Sequence, residues 1–545
     1  MIQHRFFDDY VKAWKTGKIV LNKERILLIA YLEKHIMSRD DLYFDEQKID
    51  DYIAYTEKYF FEVAAYQKFI VPFIFLYEED TDEPFFDEFF ITIGRGGGKN
   101  GLLSTLGGFL ISDLHGIKNY DISIVANSED QARTSFDEVH NMIYDNELED
   151  IYYNKKSIIR NFDTNSTLRY RTSNAKTKDG GREGAIFYDE IHFFENGEIV
   201  DVFSGGLGKV SGGREFKVGT NGTLREGYYD EMLNRSMAIL NGEVTFERLF
   251  PFIARLDDVK EMDDPEMWPK ANPMLDEDTT YARILRDKIM RDYKKLKYAP
   301  SGRLAFVSKR MNLPEVDLQK SVASVEEMKA TERPIPDTTD MPGVFSLDFA
   351  SVRDFAAVGA LFKDNGTGEY IWKTHSFALR DYLDAADLKP PIEEWANDGL
   401  LTILQEPTIN PRHVVDWFVE MREETGINII SADNYKMEFI RPLLEAEGFE
   451  VSTIRNPRAI HALLAPRVED MFANHKIIYG DNPLMRWYTW NVYVNIKKDG
   501  NREYLKKDEH RRKTDGFMAL VHALYLAAEY LDVEESEFML DELVF

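Results

Sequence analysis

Apolar residues follow two different periods along this chain. Residues 20–70 carry apolar side chains at three- and four-residue spacing, which predicts amphipathic helices. Short apolar runs then alternate with a helical pattern: strands are predicted in "FFITIG", "YDISIVAN", "AIFYDEIHFF" and "REFKVGTNG", and a helix in "SEDQARTSFDEVHNMIYD". Strands separated by helices predict an α/β fold with a parallel sheet.

The pattern breaks once, between residues 321 and 343. The segment "SVASVEEMKATERPIPDTTDMPG" combines charge with three prolines and little apolar periodicity, and the strand-like "GVFSLDFA" follows it. The 545 residues also exceed what one hydrophobic core usually supports. We therefore predict two α/β domains at 1–325 and 343–545, joined by a linker at 326–342, with an acidic tail at the end of the second.

Composition restricts the chemistry. The chain has no cysteine, so a bound metal would be held by carboxylates, histidines or water, which favours Mg²⁺ or Mn²⁺. The charged N-terminus lacks the apolar core of a signal peptide, and no apolar run is long enough to span a membrane, so we expect a cytoplasmic protein. The net charge of −29 argues at first against a nucleic-acid partner, but seven acids lie in the last 17 residues, and charge leaves the question open.

A glycine cluster follows the first predicted strand, in "FFITIGRGGGKNGLLSTL". The common phosphate loop, G-x-x-x-x-G-K-[ST], would need glycine where Ile93 stands. The physical requirements are nevertheless met, because glycine amides, a lysine and a helix start occur in order. The predicted phosphate-binding residues are Gly94, Gly96, Gly97, Gly98, Lys99 and Asn100. The alternative is a glycine-rich turn between a strand and a helix.

Two acids end the apolar run "AIFYDEIH". A buried strand would deliver Asp189 to a Mg²⁺ ion and Glu190 to an attacking water. A strand followed by an acidic turn is the alternative, but the preceding glycine loop favours a nucleotide hydrolase. Thr220 and Asn221 end the next predicted strand, where they could sense a γ-phosphate.

Three aspartates mark a second site. Asp348 and Asp433 end predicted strands, and Asp515 begins an apolar helix. Each alone could be a cap or a turn residue. Together they resemble the RNase H-like nuclease constellation, which holds two metal ions roughly 4 Å apart to cleave a phosphodiester. Basic residues beside Asp515 would neutralise DNA phosphates or form a solvated loop: Lys506, Lys507, Arg511, Arg512 and Lys513.

The order of these features resembles the large terminase subunit of tailed bacteriophages, over nearly the whole chain. Four further motifs carry the resemblance: "YQKFI", "ANP" at 271–273, "NPLMRW" at 482–487 and "KTDGFMAL". The resemblance implies an N-terminal P-loop ATPase with a helical extension and a C-terminal RNase H-like nuclease. It implies that Gln67 contacts adenine, that Arg95 belongs to a variant phosphate loop, and that Lys99, Asp189 and Glu190 bind and hydrolyse ATP with Mg²⁺. Asp348, Asp433 and Asp515 would bind the nuclease metals, Mg²⁺ or Mn²⁺.

The resemblance also implies partners. Such proteins package concatemeric double-stranded DNA through the portal protein of the procapsid in the host cytoplasm. They work with a small terminase subunit, as a homo-oligomeric ring that can be monomeric in isolation.

Two positions complicate the resemblance. Asn100 stands where the family usually has Ser or Thr as a Mg²⁺ ligand, which makes ATP affinity or turnover less certain. Arg182 is a candidate arginine finger for a neighbouring subunit, or else an ordinary surface arginine. Two other functions fit parts of the pattern: a helicase-like or repair ATPase fused to an RNase H-fold nuclease, and a scaffold protein with a degenerate ATP site.

Overall fold

The computed structural model describes residues 2–172, 181–222, 224–225, 227–244, 247–299, 302–315, 320–351, 354–386, 388, 390–434, 437–455, 457–497, 500–507 and 512–532. The chain forms two compact units, Met1–Glu315 and Val316–Phe545. The predicted acidic tail falls mainly on residues 533–545, which lie outside the described ranges, as does Arg511. In the ranges described, no helix is long and apolar enough to cross a membrane.

The first unit combines helices with an eight-stranded sheet. Its helices are α1 Arg5–Lys15, α2 Lys23–His35, α3 Glu46–Tyr59, α4 Ala65–Ile74, α5 Lys99–Leu110, α6 Glu129–Asp145, α7 Glu198–Ser204, α8 Tyr228–Leu240, α9 Thr280–Leu296 and α10 Arg303–Lys309. Its strands are β1 Leu42–Phe44, β2 Leu76–Glu78, β3 Glu88–Thr92, β4 Asp121–Ala126, β5 Tyr152–Lys155, β6 Ile158–Asn161, β7 Thr167–Thr172, β8 Glu183–Tyr188, β9 Arg214–Gly219 and β10 Leu249–Ile253.

The large sheet has the order β10-β3-β9-β8-β4-β7-β6-β5, and β1 pairs with β2 separately. The first six strands of this order, from β10 through β3, β9, β8 and β4 to β7, are parallel, and β7, β6 and β5 form an antiparallel edge. Every residue of β8, β9 and β10 is buried, as expected for parallel strands covered on both faces. The carboxyl ends of β3, β8 and β9 therefore lie together at one end of the sheet, where ligands usually bind in such sheets.

The second unit is also α/β. Its helices are α11 Val325–Ala330, α12 Arg380–Ala386, α13 Ile392–Asn397, α14 Pro411–Thr425, α15 Met437–Ala446, α16 Pro457–Ala473, α17 Pro483–Trp490 and α18 Asp515–Tyr530. Its strands are β11 Gly343–Asp348, β12 Ala356–Asp364, β13 Glu369–Leu379, β14 Leu401–Leu404, β15 Ile429–Asp433, β16 Glu450–Ile454, β17 Ile477–Ile478, β18 Val492–Ile496 and β19 Arg502–Lys506.

The main sheet of this unit has the order β14-β13-β12-β11-β15-β16, with β17 beside β13. Strands β11, β12 and β13 are antiparallel, whereas β11, β15 and β16 are parallel. The apolar helix α18 packs on β11, where the Ser346 hydroxyl donates to the Ala519 carbonyl. The predicted α/β class, with a parallel-rich sheet followed by a second α/β unit, is confirmed.

The segment predicted as a linker contains regular structure. Helix α11 begins before residue 326, and Met328 is buried in the core of the second unit together with Ala323. The contact-based division lies at Glu315, about ten residues before the predicted end of the first domain. The predicted domain boundaries themselves stay a prediction.

Candidate functional site

The glycine loop lies at the carboxyl end of β3 and is held by backbone contacts. The Gly94 amide donates to the Ala271 carbonyl at 2.8 Å, and the Tyr66 hydroxyl donates to the Gly97 carbonyl. Gly98 caps α5 with φ +88°, a conformation that favours glycine. A Cβ at that position would meet the Tyr66 hydroxyl at 3.0 Å. The loop is therefore shaped by its neighbours as well as by its glycines.

Lys99 connects the loop to the end of β9. The side chain is 5% exposed, and its ammonium donates to the Thr220 hydroxyl and, at 3.4 Å, to the Ile93 carbonyl. It forms no ion pair with any carboxylate in the described ranges. A buried ammonium without a carboxylate is costly unless an anion approaches it, and a phosphate would supply that anion.

Asp189 and Glu190 follow β8, at the same carboxyl end of the parallel strands as the glycine loop. Burial, reinforced by the Glu190 charge and opposed by Lys99, raises the pKa of Asp189 to about 7. Burial alone would raise the pKa of Glu190 as well, but His192 and Lys99 outweigh it and lower that pKa to about 2. The His192 Nδ1 atom lies 3.1 Å from Glu190 Oε2. Glu190 also has φ +53°, a strained conformation that costs about 1 kcal/mol or more.

Three buried side-chain amide atoms around the loop have no hydrogen-bond partner among the described residues, which tests whether a nucleotide fits. Gln67 Oε1 accepts from the Ala64 amide, but its Nε2 is unpaired and would lie 3.6 Å from a Cβ on Gly98. Asn221 Nδ2 and Asn272 Oδ1 are also unpaired. Two donors and one acceptor left open beside a buried ammonium fit the base and phosphates of ATP.

Other predicted residues of this site have clear positions. Asn100 is half-buried in the first turn of α5. Arg95 is exposed, and its charge contributes to the low pKa of Glu190. Gly96 accepts a hydrogen bond from the Tyr281 hydroxyl at 2.8 Å. Arg182 is exposed and directly precedes β8. It therefore lies at the amino end of the parallel strands, whereas the glycine loop at 94–98 lies at their carboxyl end.

Sequence reasoning missed two asparagines that hold this site together. The Asn312 side chain donates to Ala254 O at 2.7 Å and to Thr92 Oγ1 at 3.0 Å, and its oxygen accepts from the backbone amide of Asn221. Asn272 lies in the "ANP" triplet, which the resemblance singled out without giving this residue a role. No local signal marks Asn312.

The second unit brings the predicted aspartates to one end of its sheet. Asp348 and Asp433 are the last residues of β11 and β15, whose register pairs Leu347 with Ala432. Asp515 is the first residue of α18 and is buried. Burial raises the pKa of Asp515 well above its usual range, and the charges of Asp354 and Asp348 reinforce that shift.

Asp354 is a fourth acid in this group that sequence reasoning missed. Lys506 Nζ lies 2.6 Å from one of its oxygens and Lys513 Nζ 3.0 Å from the other. Burial would raise the pKa of Asp354, but these two ammonium groups outweigh it and lower the pKa. Lys513 is 1% exposed, so it lies inside the acidic group and not on a solvated loop.

The acids at this end of the sheet differ in how far their oxygens are available to a metal ion. In the part of the chain that the structure describes, no three acids or histidines stand ready to hold a metal ion as they are placed. However, Asp515 Oδ2 is buried without a partner, and the donors are carboxylate oxygens alone. Such a set suits a hard cation such as Mg²⁺ or Mn²⁺.

Two family models match the chain. The model of the terminase large subunit ATPase domain matches residues 65–237, and that of the terminase large subunit endonuclease domain matches residues 243–530. The second match alone covers more than half of the 545 residues.

Individual proteins are similar over most of the chain. The terminase large subunit of Lactococcus phage p2 is 23% identical over 459 residues, which cover 81% of this chain and 82% of that protein. The terminase large subunit of Lactococcus phage SK1 is 22% identical over 459 residues, with the same two coverages of 81% and 82%. The crystal structure of the bacteriophage HK97 large terminase is 16% identical, covers 88% of this chain and 99% of its own, and has a TM-score of 0.47.

Proposed function

We infer the function from one premise: the chain belongs to the terminase large subunit family, with an ATPase domain and an endonuclease domain. We propose that ATP hydrolysis in the first unit moves double-stranded DNA through the portal into a procapsid, and that the second unit cuts concatemeric DNA with a divalent metal. The observation that carries the proposal is the pair of carboxylate sites, one beside a glycine loop and one at the end of an RNase H-like sheet.

In the ATPase site, the amides of Gly94, Arg95 and Gly97 already donate to backbone carbonyls, so Lys99 and the amides of Gly96 and Gly98 bind the phosphates. Gln67 binds the base. Asp189 holds Mg²⁺, which would offset charge on the β- and γ-phosphates. With a pKa of about 2, Glu190 stays ionised at neutral pH, so it accepts a hydrogen bond from water and orients it. The water oxygen bonds to the γ-phosphorus as the bond to the bridging oxygen breaks. Thr220 and Asn221 sense the γ-phosphate at the end of β9.

In the nuclease site, Asp348, Asp433 and Asp515 hold the cations, with Asp354 beside them. Divalent ions bound there would activate a water and stabilise the leaving oxygen. Lys506 and Lys513 neutralise Asp354 and reduce the repulsion among the acids. The Leu347 carbonyl, next to Asp348, contacts His522 Nδ1 at 2.9 Å, which fixes the end of β11 against α18.

The partners follow from the same proposal. They are duplex DNA, the portal of the procapsid and a small terminase subunit, in the host cytoplasm. Several copies would form a ring, because one ATPase domain cannot hold DNA while it resets.

Reciprocal variants test the proposal. Lys99→Ala and Glu190→Ala should abolish ATP hydrolysis and leave Mn²⁺-dependent cutting of plasmid, because the nuclease carboxylates are untouched. Asp348→Asn and Asp433→Asn should abolish cutting and leave ATP hydrolysis. Loss of both activities in either set would contradict two separate sites, and cleavage retained in both aspartate variants would remove those residues from the metal site.

A further inference from the structure

In the described residues, the antiparallel strands β5, β6 and β7 carry exposed side chains on one face. Strand alternation and register place Tyr153, Lys155, Arg160, Phe162 and Arg169 on this side, which we term the basic-aromatic face. Phe162 continues the β5–β6 ladder, since its amide donates to the Ile151 carbonyl. All five side chains are exposed, with Tyr153 at 45% and Phe162 at 56%.

The opposite face of the same strands belongs to the core. Tyr152, Ile159 and Leu168 are buried there, and α6 packs on β7 with Phe136 against Tyr170. The strands therefore already bury their other side, which is mostly apolar with Asn161 buried among it, and the five exposed residues lie on the side away from that core.

The charge on the basic-aromatic face is not neutralised locally. Lys155, Arg160 and Arg169 form no ion pair with any carboxylate in the described ranges, although the chain carries a net charge of −29. Two other arginines of this unit are paired, since exposed Arg5 contacts Asp50 and half-buried Arg39 contacts Asp41. Unpaired cations on one face of an acidic protein are typical of a surface that binds a polyanion.

The spacing suits the backbone of a duplex. Lys155 and Arg169 lie in one row across three strands, so their Cα atoms are separated by about 10 Å, two strand spacings. Arg160 lies in the adjacent row, opposite Tyr153. A duplex carries a phosphate on each strand every ~3.4 Å of helix axis, so a row aligned with that axis covers about three base-pair steps. Side chains on a sheet face can reach phosphates without entering a groove, which gives contacts independent of sequence.

One of the two aromatic rings on this face is not open to base stacking on both sides. Single-strand binding surfaces offer ring faces on which bases stack. Here Lys155 Nζ lies over the Tyr153 ring, 5.5 Å from its centroid, so a cation already covers one face of that ring. We propose that the basic-aromatic face is the surface by which the ATPase unit contacts the sugar-phosphate backbone of duplex DNA, an inference that rests on the proposed function.

A triple variant tests the surface. Lys155→Gln, Arg160→Gln and Arg169→Gln together should weaken binding of a blunt duplex more than tenfold near 0.1 M salt, by roughly the loss of three phosphate contacts. The dependence of log affinity on log salt should become shallower by about 2.7. Fluorescence anisotropy of the full chain in EDTA, which prevents cleavage, measures both. The matched control, Lys18→Gln, Lys34→Gln and Arg291→Gln, removes the same charge from exposed cations elsewhere in the unit, which form no ion pair with the residues that the structure describes.

The outcomes separate this inference from the function on which it rests. Unchanged duplex binding by the triple variant, or an equal loss in the control, would overturn the surface while the proposed function stands. Loss of single-strand binding alone would overturn the assignment to a duplex. Failure of the wild-type chain to bind duplex at all would overturn both. Thermal unfolding of each variant checks that the fold is intact.

A second measurement uses the absence of cysteine in the sequence. An Arg160→Cys variant carries a single thiol, to which a photoactivatable azide can be attached. We expect crosslinks to a duplex from position 160 and not from a Lys34→Cys variant labelled in the same way. Equal crosslinking from the two positions would contradict the proposal.

Discussion

At the scale of single residues, the contact between His192 and Glu190 is the most direct test of the ATPase chemistry. His192→Ala removes the group that helps to keep the Glu190 carboxylate ionised and oriented. Turnover should fall by roughly 10- to 100-fold, at or below the lower limit of about 100-fold for loss of the acid or base itself, because His192 acts through Glu190. Nucleotide affinity should change little. Single-turnover hydrolysis and analogue binding measure the two effects. His192→Gln should restore part of the rate, and an equal loss in both variants would contradict a positioning role.

The raised pKa of Asp189 leads to a prediction of how nucleotide binding depends on pH. Its pKa is raised from 3.8 to about 7, so between these values the folded chain without metal keeps a proton that the unfolded chain releases. Stability without metal therefore decreases as pH rises through this window. Metal binding requires the carboxylate, so the Mg²⁺-dependent part of ATP-analogue affinity should fall about tenfold per pH unit below 7. Titrations with and without EDTA measure it, and the same slope in Asp189→Asn would exclude this carboxylate as the cause.

The residues that sequence could and could not predict differ in their surroundings. Asp189 and Asp433 stand where an apolar run ends, and Lys99 follows a glycine cluster, so the local pattern marks all three. Asn312 and Asp354 lie in irregular segments, and only folding brings them to their sites. A pattern along the chain reports local burial and carries no information on which distant segment arrives beside a loop.

At the scale of secondary-structure elements, the turn from β3 into α5 depends on Gly98. Gly98→Ala should cost about 1–2 kcal/mol in backbone strain, and its Cβ would press on Tyr66 and Met274. We expect nucleotide affinity to fall at least tenfold with a lower melting temperature. Gly17→Ala is the matched control, because Gly17 also has a positive φ but has nothing within 4 Å of the added Cβ. That control should lose stability alone, and nucleotide binding unchanged in Gly98→Ala would contradict the prediction.

Sequence periodicity predicted elements well where one face is apolar and less well elsewhere. The predicted strands at β3, β4, β8 and β9 and the helix at α6 are present. The region predicted as helices at residues 20–70 forms α2, α3 and the first part of α4, with the short strand β1 between α2 and α3. The break between α3 and α4 lets Phe61 pack against Gly101, a contact that no local period shows. The hairpin of β5 and β6 was not predicted, because each strand has only four residues and polar side chains interrupt its apolar positions.

At the scale of the whole molecule, two descriptions divide the chain differently. The ATPase family model ends at residue 237, whereas the compact unit continues to Glu315. The intervening segment contributes β10, which pairs with β3 from Leu249 to Ile253. It also contributes Asn272 beside the glycine loop and Asn312 at the end of β3. The physical unit that binds nucleotide therefore extends well beyond the ATPase match.

Truncation tests this extension. Strand β10 buries Leu249, Phe250, Phe252 and Ile253, and each such side chain contributes about 1.5–3 kcal/mol, so together they approach the whole stability of a typical domain. A fragment of residues 1–315 should unfold cooperatively and be stabilised by an ATP analogue. A fragment of residues 1–242 should show neither property, since it lacks this strand and both asparagines. Calorimetry with and without the analogue distinguishes them, and native-like nucleotide binding by the shorter fragment would place the limit of the ATPase unit at the family match instead.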